Sequence, residues 1–313
     1  VFNLHWNDPD YLQHWRIEVQ ELTKNGVRGL IPGWVRWGYR SLRSRLLTIG
    51  LHPIGPFFLS DDEKQESGKI SIIVAVHDSP DVTRRCLNSL EIFGGNSEII
   101  IVDDESRLEP TRRLLDTTCS RNRWKLIRHE KALGHSRASE AGVLVSSRPY
   151  VCLLNSDTIV TPHSWLGVVR AFESDVRIAV SGPSTSHTVG PQSVRRALHC
   201  RHYWSDEQIW CFAEKYVASH WQKPVVDLPM VGGFAFFVRR TVWDELHGFD
   251  KNLPDYGNET EFCRRVTKSG LRIVWSKAGY IHHLGGESYG RTLGCLEITK
   301  RCIDSQDYIT ETV

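Results

Sequence analysis

Long apolar runs are missing from this chain of 313 residues. None approaches the ~20 residues that a transmembrane helix needs. No basic start, apolar stretch and small-residue cleavage site mark a signal peptide. The chain opens on Val1 rather than Met, and a segment of a longer protein is expected. No CxxC pair occurs among the eight cysteines, which are scattered and often sit in apolar runs such as residues 151–154. Buried free thiols in a reducing, cytoplasmic compartment are therefore expected. His199, Cys200, His202 and Cys211 match no usual zinc spacing, and read as loop and core residues. There is no GxSxG nucleophile elbow and no P-loop, which sets aside two common enzyme designs. A strong charge of either sign is absent too: the net charge is +2, so neither nucleic acid nor a uniformly acidic partner is demanded.

What is present is a regular alternation. Residues 70–76 (ISIIVAV), 98–102 and 150–154 are short β-branched or apolar runs, suited to strands buried on both faces. Residues 124–127 and 177–180 read as further strands. Ser79-Pro80-Asp81 opens a helix that ends near Gly94-Gly95. Residues 138–145 form another, and Thr161-Pro162 opens a third. Residues 184–224 interrupt the rhythm with Trp204, Trp210 and Trp221, and carry a helix over 206–220. The tryptophans suit either a glycan face or a core. The pattern then resumes with a strand at 234–238, a helix at 258–269 and a strand at 271–275. Such alternation predicts an α/β fold with a mixed, mainly parallel sheet flanked by helices.

Ligands of such sheets sit outside the carboxyl ends of the strands. Here those ends carry His77-Asp78, Asp103-Asp104-Glu105-Ser106 and Asn155-Ser156-Asp157-Thr158. Like charges gathered at one edge call for a counter-ion, and carboxylates suit Mg²⁺ or Mn²⁺ on a diphosphate. Helix capping is the other use of such residues, and it fits Asp78 and Asp81 better than Asp157.

The order of motifs resembles glycosyltransferase family 2, in the rhamnosyltransferase-like branch that has Asn-x-Asp-Thr in place of DxD. The resemblance rests on His77-Asp78, on Val102-Asp103-Asp104-Glu105-Ser106, on Leu133-Gly134-His135-Ser136-Arg137 and on Asn155-Ser156-Asp157-Thr158. In the second half it rests on the strand through Gly232-Gly233-Phe234, on Gly248-Phe249-Asp250, and on Tyr256-Gly257-Asn258-Glu259. It implies a GT-A (Rossmann-like) fold over residues 69–291. Residues 1–68 would be a helical, basic-aromatic extension and linker, and residues 292–313 a tail. The linker is placed at residues 61–68.

The resemblance also implies roles. Asp157 and His283 would hold a divalent metal, Mn²⁺ or Mg²⁺. Ala75, His77, Asp104, Gly134, Arg137, Asn155 and Ser156 would bind the nucleotide. Gly232 and Gly233 would shape the sugar and acceptor site. His283 is chosen over His282 because it stands five residues before Ser288. Glu259 would be the general base, although the family's acidic pair reads Asn258-Glu259 here. Helical spacing agrees: Glu259 stands three residues before Phe262 on the face marked by Phe262 and Val266, where a carboxylate is partly desolvated. Glu261, four residues before Arg265, suits a surface ion pair.

The implied reaction is an inverting transfer from a UDP- or dTDP-sugar to a hydroxyl of a glycan or lipid-linked glycan, as in polysaccharide biosynthesis. The rival classes are a nucleotidyltransferase, disfavoured because no basic glycine-rich loop follows the first strand, and a non-catalytic sugar-nucleotide-binding relative. Residues 31–47 interleave aromatic and basic side chains. They suit either a helix packed on the catalytic domain or a peripheral membrane contact.

Overall fold

The computed structural model describes residue 57 and residues 59–188, 190–194, 205–253, 255–285, 304–306 and 308–309. The stretch 31–47, His199, Cys200, His202, Trp204 and Ser288 lie outside the described residues. Eight strands form one sheet, in the order β3-β2-β1-β4-β8-β6-β9-β7. They are β1 (Ile70–Val76), β2 (Glu98–Asp103), β3 (Lys125–Arg128), β4 (Tyr150–Asn155), β6 (Ile178–Ser184), β7 (Val226–Asp227), β8 (Ala235–Arg239) and β9 (Arg272–Tyr280). The first four run parallel; β8 opposes β4 and β6, and β7 opposes β9. The sheet is thus mixed and mainly parallel, as expected. A separate two-stranded ribbon pairs β5 (Thr158–Ile159) with β10 (His282–His283).

The β-branched runs become strands because both faces of the sheet are covered. Along β1, Ile70, Ile72, Val74 and Val76 enter one core cluster and Ile73 the other. Helices α2 (Pro80–Phe93), α3 (Glu109–Asn122), α4 (His135–Leu144), α5 (Leu166–Ser174), α6 (Asp206–His220), α7 (Arg240–Glu245) and α8 (Asn258–Lys268) complete the layers. The five described cysteines (86, 119, 152, 211 and 263) are unpaired and buried; burial pushes the Cys86 thiol up to about 12. Trp210 fills the core against Phe57 and Phe93, and Trp221 stacks on the Arg170 guanidinium.

One helix was not anticipated and one expectation changes. Helix α3 falls in a stretch that shows little hydrophobic signal. Residues 61–68, expected as linker, instead carry α1 (Asp61–Ser67), begun by a capping box between Ser60 and Glu63. Glu63 is 1% exposed. Its carboxylate accepts the backbone N–H of His163 at 2.7 Å and that of Ser60 at 2.8 Å, and it pairs with the His163 ring at 3.0 Å. This fixes α1 to the turn before α5.

Burial alone would raise the Glu63 pKa, but hydrogen bonds from His163 and Ser60 outweigh it and hold it down to about 2. The same pairing raises His163. Glu63 therefore contributes stability above its ordinary pKa, lost as pH falls toward 2. His163 contributes below its ordinary value, lost as pH rises through the raised one. Glu63→Gln is expected to cost about 2 kcal/mol at pH 6. Urea melts should show the gap from wild type closing as pH falls toward 2; a constant gap would refute the ion pair as its source.

Candidate active site

Strand β1 has β2 on one side and β4 on the other, so the connections diverge at its carboxyl end. Sheets of this kind bind ligands at such a switch point. In register, Ala75 lies between Val102 and Asn155, and Val76 opposite Asp103. His77 follows, its Nδ1–H donating to the Asp104 carbonyl at 2.6 Å. A carbonyl only accepts, which fixes the proton on Nδ1.

Asp103 and Asp104 are both buried. Asp103 accepts from the Ser106 amide and from Arg128. Asp104 accepts the amides of Leu133 and Gly134, each at 2.9 Å, and the His129 ring at 2.7 Å. Asp104 and Gly134, both expected at the nucleotide, are thus bonded to each other. Together they set the loop that starts α4, where Gly134 takes the left-handed φ of 91°. Arg137, in the first turn of α4, pairs with Glu140 on its own helix.

At the end of β4, Asn155 donates its amide to the Phe234 carbonyl, and Ser156 and Asp157 are buried in the turn that follows. The ribbon then pairs Thr158 with His283 and Ile159 with His282. This register brings His283 to Asp157, Nε2 to Oδ1 at 3.2 Å. The His283 Nδ1–H donates to the His187 carbonyl at 2.7 Å. Its ring stacks on Phe234. A backbone carbonyl on one ring nitrogen orients the other toward a ligand, the usual arrangement behind a metal-binding histidine. His282, its neighbour in the ribbon, is fully buried, with Nδ1 3.0 Å from the Tyr280 hydroxyl.

Helix α8 brings the remaining carboxylate. Glu259 lies against Gly233, so closely that a Cβ at Gly233 would overlap its carboxylate. Desolvation by burial raises its pKa, and the nearby His135 charge works against that rise. Gly233 is followed by Phe234, whose ring packs on His283, so one dipeptide joins the base candidate to the Asp157–His283 pair. Gly232 donates its amide to Gln192 at 2.7 Å.

Two sequence readings are corrected. Asp78 does not cap α2, whose N-cap is Ser79. Its carboxylate accepts the amides of Arg107 and Leu108, at 2.8 Å each, and so closes the start of α3. Glu261 is no surface ion pair. It is 5% exposed, and Arg265 grips it with two hydrogen bonds of 2.6 Å. Arg265 also donates to the carbonyls of Leu246 and Gly248. His135 is the residue that sequence reasoning passed over; its place beside Gly134 in the glycine-containing motif was the available signal.

A mainly parallel sheet with carboxylates and a histidine at its switch point defines a GT-A, nucleotide-binding transferase fold. The profile of Glycosyl transferase family 2 matches residues 71–246, more than half of the chain, and the chain belongs to that family. O-antigen biosynthesis protein RfbC from Myxococcus xanthus is 23% identical over 227 residues, covering 69% of this chain and 17% of that protein. The chain therefore spans about a sixth of that relative's length. Among solved structures, GalNAc-T7 with UDP, GalNAc and Mn²⁺ aligns with a TM-score of 0.53 at 16% identity, over 69% of this chain and 43% of that one. The mannosyltransferase PcManGT from Pyrobaculum calidifontis, in complex with GDP-Man and Mn²⁺, aligns at 0.51 and 11%, over 80% and 65%. S. aureus TarS 1-349 aligns at 0.50 and 15%, over 71% and 62%. At such identities the likeness is one of fold, and that fold is GT-A.

Two outcomes test the Glu259 environment. Gly233→Ala should push the carboxylate aside and lower turnover by about 10²-fold, the scale of a misplaced catalytic group, while circular dichroism shows the fold intact. Turnover that needs the Glu259 carboxylate should fall as pH drops through a pKa above the ordinary range. Removing the His135 charge with His135→Gln should move that acid limb to higher pH; an unmoved limb would separate it from Glu259.

Proposed function

We propose that this chain is an inverting, metal-assisted glycosyltransferase. It moves a sugar from a UDP- or dTDP-sugar to a hydroxyl of a glycan or lipid-linked glycan, in the assembly of a polysaccharide. The observation that carries the reading is Glu259: a desolvated carboxylate with a raised pKa, set against a glycine that leaves it room. A purely binding relative has no need of such a group. The relatives named above support the donor class, since GalNAc-T7 and PcManGT were solved with nucleotide or nucleotide sugar and Mn²⁺.

The donor set at Asp157 and His283 fits a divalent cation: one carboxylate oxygen and one imidazole nitrogen, oriented from behind by the His187 carbonyl. Among the described residues no three such side chains converge. Two protein ligands leave the remaining positions to phosphate oxygens and water, as Mg²⁺ and Mn²⁺ sites on nucleotides commonly do. A cation held there would supply positive charge opposite the leaving diphosphate. Ala75, His77, Asn155 and Ser156 stand at the same sheet edge and would hold the base and ribose. Asp104 and Gly134 set the wall of that edge. Glu259 would take the proton from the attacking acceptor hydroxyl as the bond to the anomeric carbon forms on the face opposite the diphosphate.

A thermal-shift comparison of UDP, dTDP and GDP, each with and without Mn²⁺, tests the donor half. One nucleotide should raise the melting temperature only with Mn²⁺, and Asp157→Ala should remove the effect. A ligand at a hundred times its Kd stabilises by about 2.7 kcal/mol, well within reach of the method. Glu259→Gln should keep that shift yet lose about 10²- to 10⁴-fold in transfer, the span of general-base contributions. Nucleotide binding with undiminished transfer in Glu259→Gln would move the base elsewhere. No shift with any nucleotide would favour the non-catalytic reading.

A further inference from the structure

Strand β9 ends at Tyr280, and the chain runs on through Ile281 into β10, a strand of two residues. A two-stranded pair that short does not hold its own geometry in water. The segment after β6 supplies the missing support. Ser184, the last residue of β6, pairs with Tyr280, and its carbonyl accepts the Ile281 amide at 3.0 Å. Two residues further on, a side chain makes the next rung. The Ser186 hydroxyl accepts the His283 amide at 3.1 Å and donates to the His283 carbonyl at 2.8 Å. Across the ribbon, Leu284 donates to the Asp157 carbonyl at 3.0 Å. The alternation of an antiparallel pair then turns both backbone groups of His283 away from β5, and one buried hydroxyl meets both. His187, next in the chain, takes the ring, its carbonyl accepting from Nδ1 at 2.7 Å. Residues 186 and 187 thus fix His283 in position and in rotation, with Nε2 3.2 Å from Asp157 Oδ1.

The loop that carries Ser186 is itself fastened. Thr185 donates its amide to the Gln192 carbonyl at 3.0 Å and accepts the Val194 amide at 2.8 Å. The Gln192 side chain is buried and uses both ends of its amide: Nε2 donates to the Pro183 carbonyl at 2.8 Å, and Oε1 accepts the Gly232 amide at 2.7 Å. A carbonyl only accepts and a backbone N–H only donates, so one orientation of the side chain satisfies both. Two glycines leave the room. A Cβ at Gly182 would stand 2.4 Å from Gln192 Nε2, and one at Gly285 would stand 2.2 Å from His187 Cδ2. Ser186 therefore grips His283 from a rigid backing, which is what a ligand held to within a fraction of an ångström requires.

We propose that Ser186 is a positioning residue for the metal: it holds the His283 backbone so that the imidazole meets a cation shared with Asp157. The inference rests on the reading of Asp157 and His283 as cation ligands.

Mn²⁺ titrations of the full chain test it, with UDP, dTDP or GDP held in excess. The readout is the Mn²⁺ concentration that gives half of the nucleotide-induced rise in melting temperature, taken from each protein's own melting temperature without ligand. Ser186→Ala should raise that midpoint about 10- to 100-fold, the cost of losing a partner behind a metal ligand. Ser186→Thr keeps the hydroxyl and should stay near the wild-type midpoint. His283→Ala should raise the midpoint at least as far as Ser186→Ala. Adding Ser186→Ala to His283→Ala should raise it no further, because residues that act through one another are not additive. A hydroxyl that only stabilises the loop would lower the ligand-free melting temperature of Ser186→Ala and leave its midpoint in place, which overturns the inference. A full further rise in the double variant, or an equal rise in Ser186→Thr, overturns it too. A midpoint unmoved by His283→Ala, or a wild type to which no nucleotide gives an Mn²⁺-dependent shift, overturns the cation reading itself, and the inference falls with it.

Discussion

Strand β1 has a hydrogen-bonded neighbour on each side and a core cluster on each face, so it is buried from Ile70 to Val74 and opens to solvent only at its carboxyl end. Every residue that could recognise a nucleotide depends on where that happens. The parallel register with β2 and β4 makes the three strands end together, at Val76, Asp103 and Asn155. Backbone amides and carbonyls beyond those ends have no ladder partner, and the side chains that follow must serve them or a ligand. Asp78 and Asp104 serve the protein: one closes the start of α3, the other ties the loop before α4. Their work leaves Asn155, Ser156 and Asp157 as the polar groups at the switch point itself.

Two carboxylates near this edge face opposite physical demands. Asp157 is buried, and a buried carboxylate needs a counter-charge or a proton. His283 is brought beside it by a ribbon of only two residues per strand. Glu259 is half-buried against Gly233, with no cation bonded to its carboxylate in any described contact, and burial raises its pKa. Gly233-Phe234 couples the two: the glycine gives Glu259 its room, and the next ring packs on His283. A change at either residue would be felt on both sides.

The strands of the sheet were legible because burial on both faces writes itself as unbroken β-branched runs. Helix α3 was not. Its buried face is Thr111, Leu114, Leu115, Thr118 and Cys119, a full helical spacing in which two of five positions are threonine, so hydropathy alone hides it. Helix α1 was read as linker for a related reason: its buried residues are Glu63 and Ser67, both polar, and the ion pair that makes burial of Glu63 tolerable comes from His163, a hundred residues away. Glu261 was misjudged likewise. Four-residue spacing to Arg265 does signal an ion pair, but only the tertiary fold shows that the pair is inside. Asp78 was given to the wrong helix, because the loop it serves lies next to it in space and not in sequence. His283 was preferred to His282 only on its spacing to Ser288, which lies outside the described residues; what the fold adds is the two-residue ribbon that sets His283 beside Asp157.

The departure at position 258 follows from the same electrostatics. Asn258 is fully buried; its amide donates to Ser136, whose hydroxyl donates to the Leu253 carbonyl. That chain ties α8 to α4 and to the loop before it, while Arg265 ties the other end of α8 to the carbonyls at 246 and 248. A carboxylate at 258 would have no N–H to give Ser136. It would also place a second buried negative charge next to Glu259, and like charges that close raise each other's pKa. With an amide there, the rise at Glu259 comes from desolvation and is moderated by His135. The neutral residue therefore keeps the helix anchored and leaves the tuning of the carboxylate to groups outside the helix.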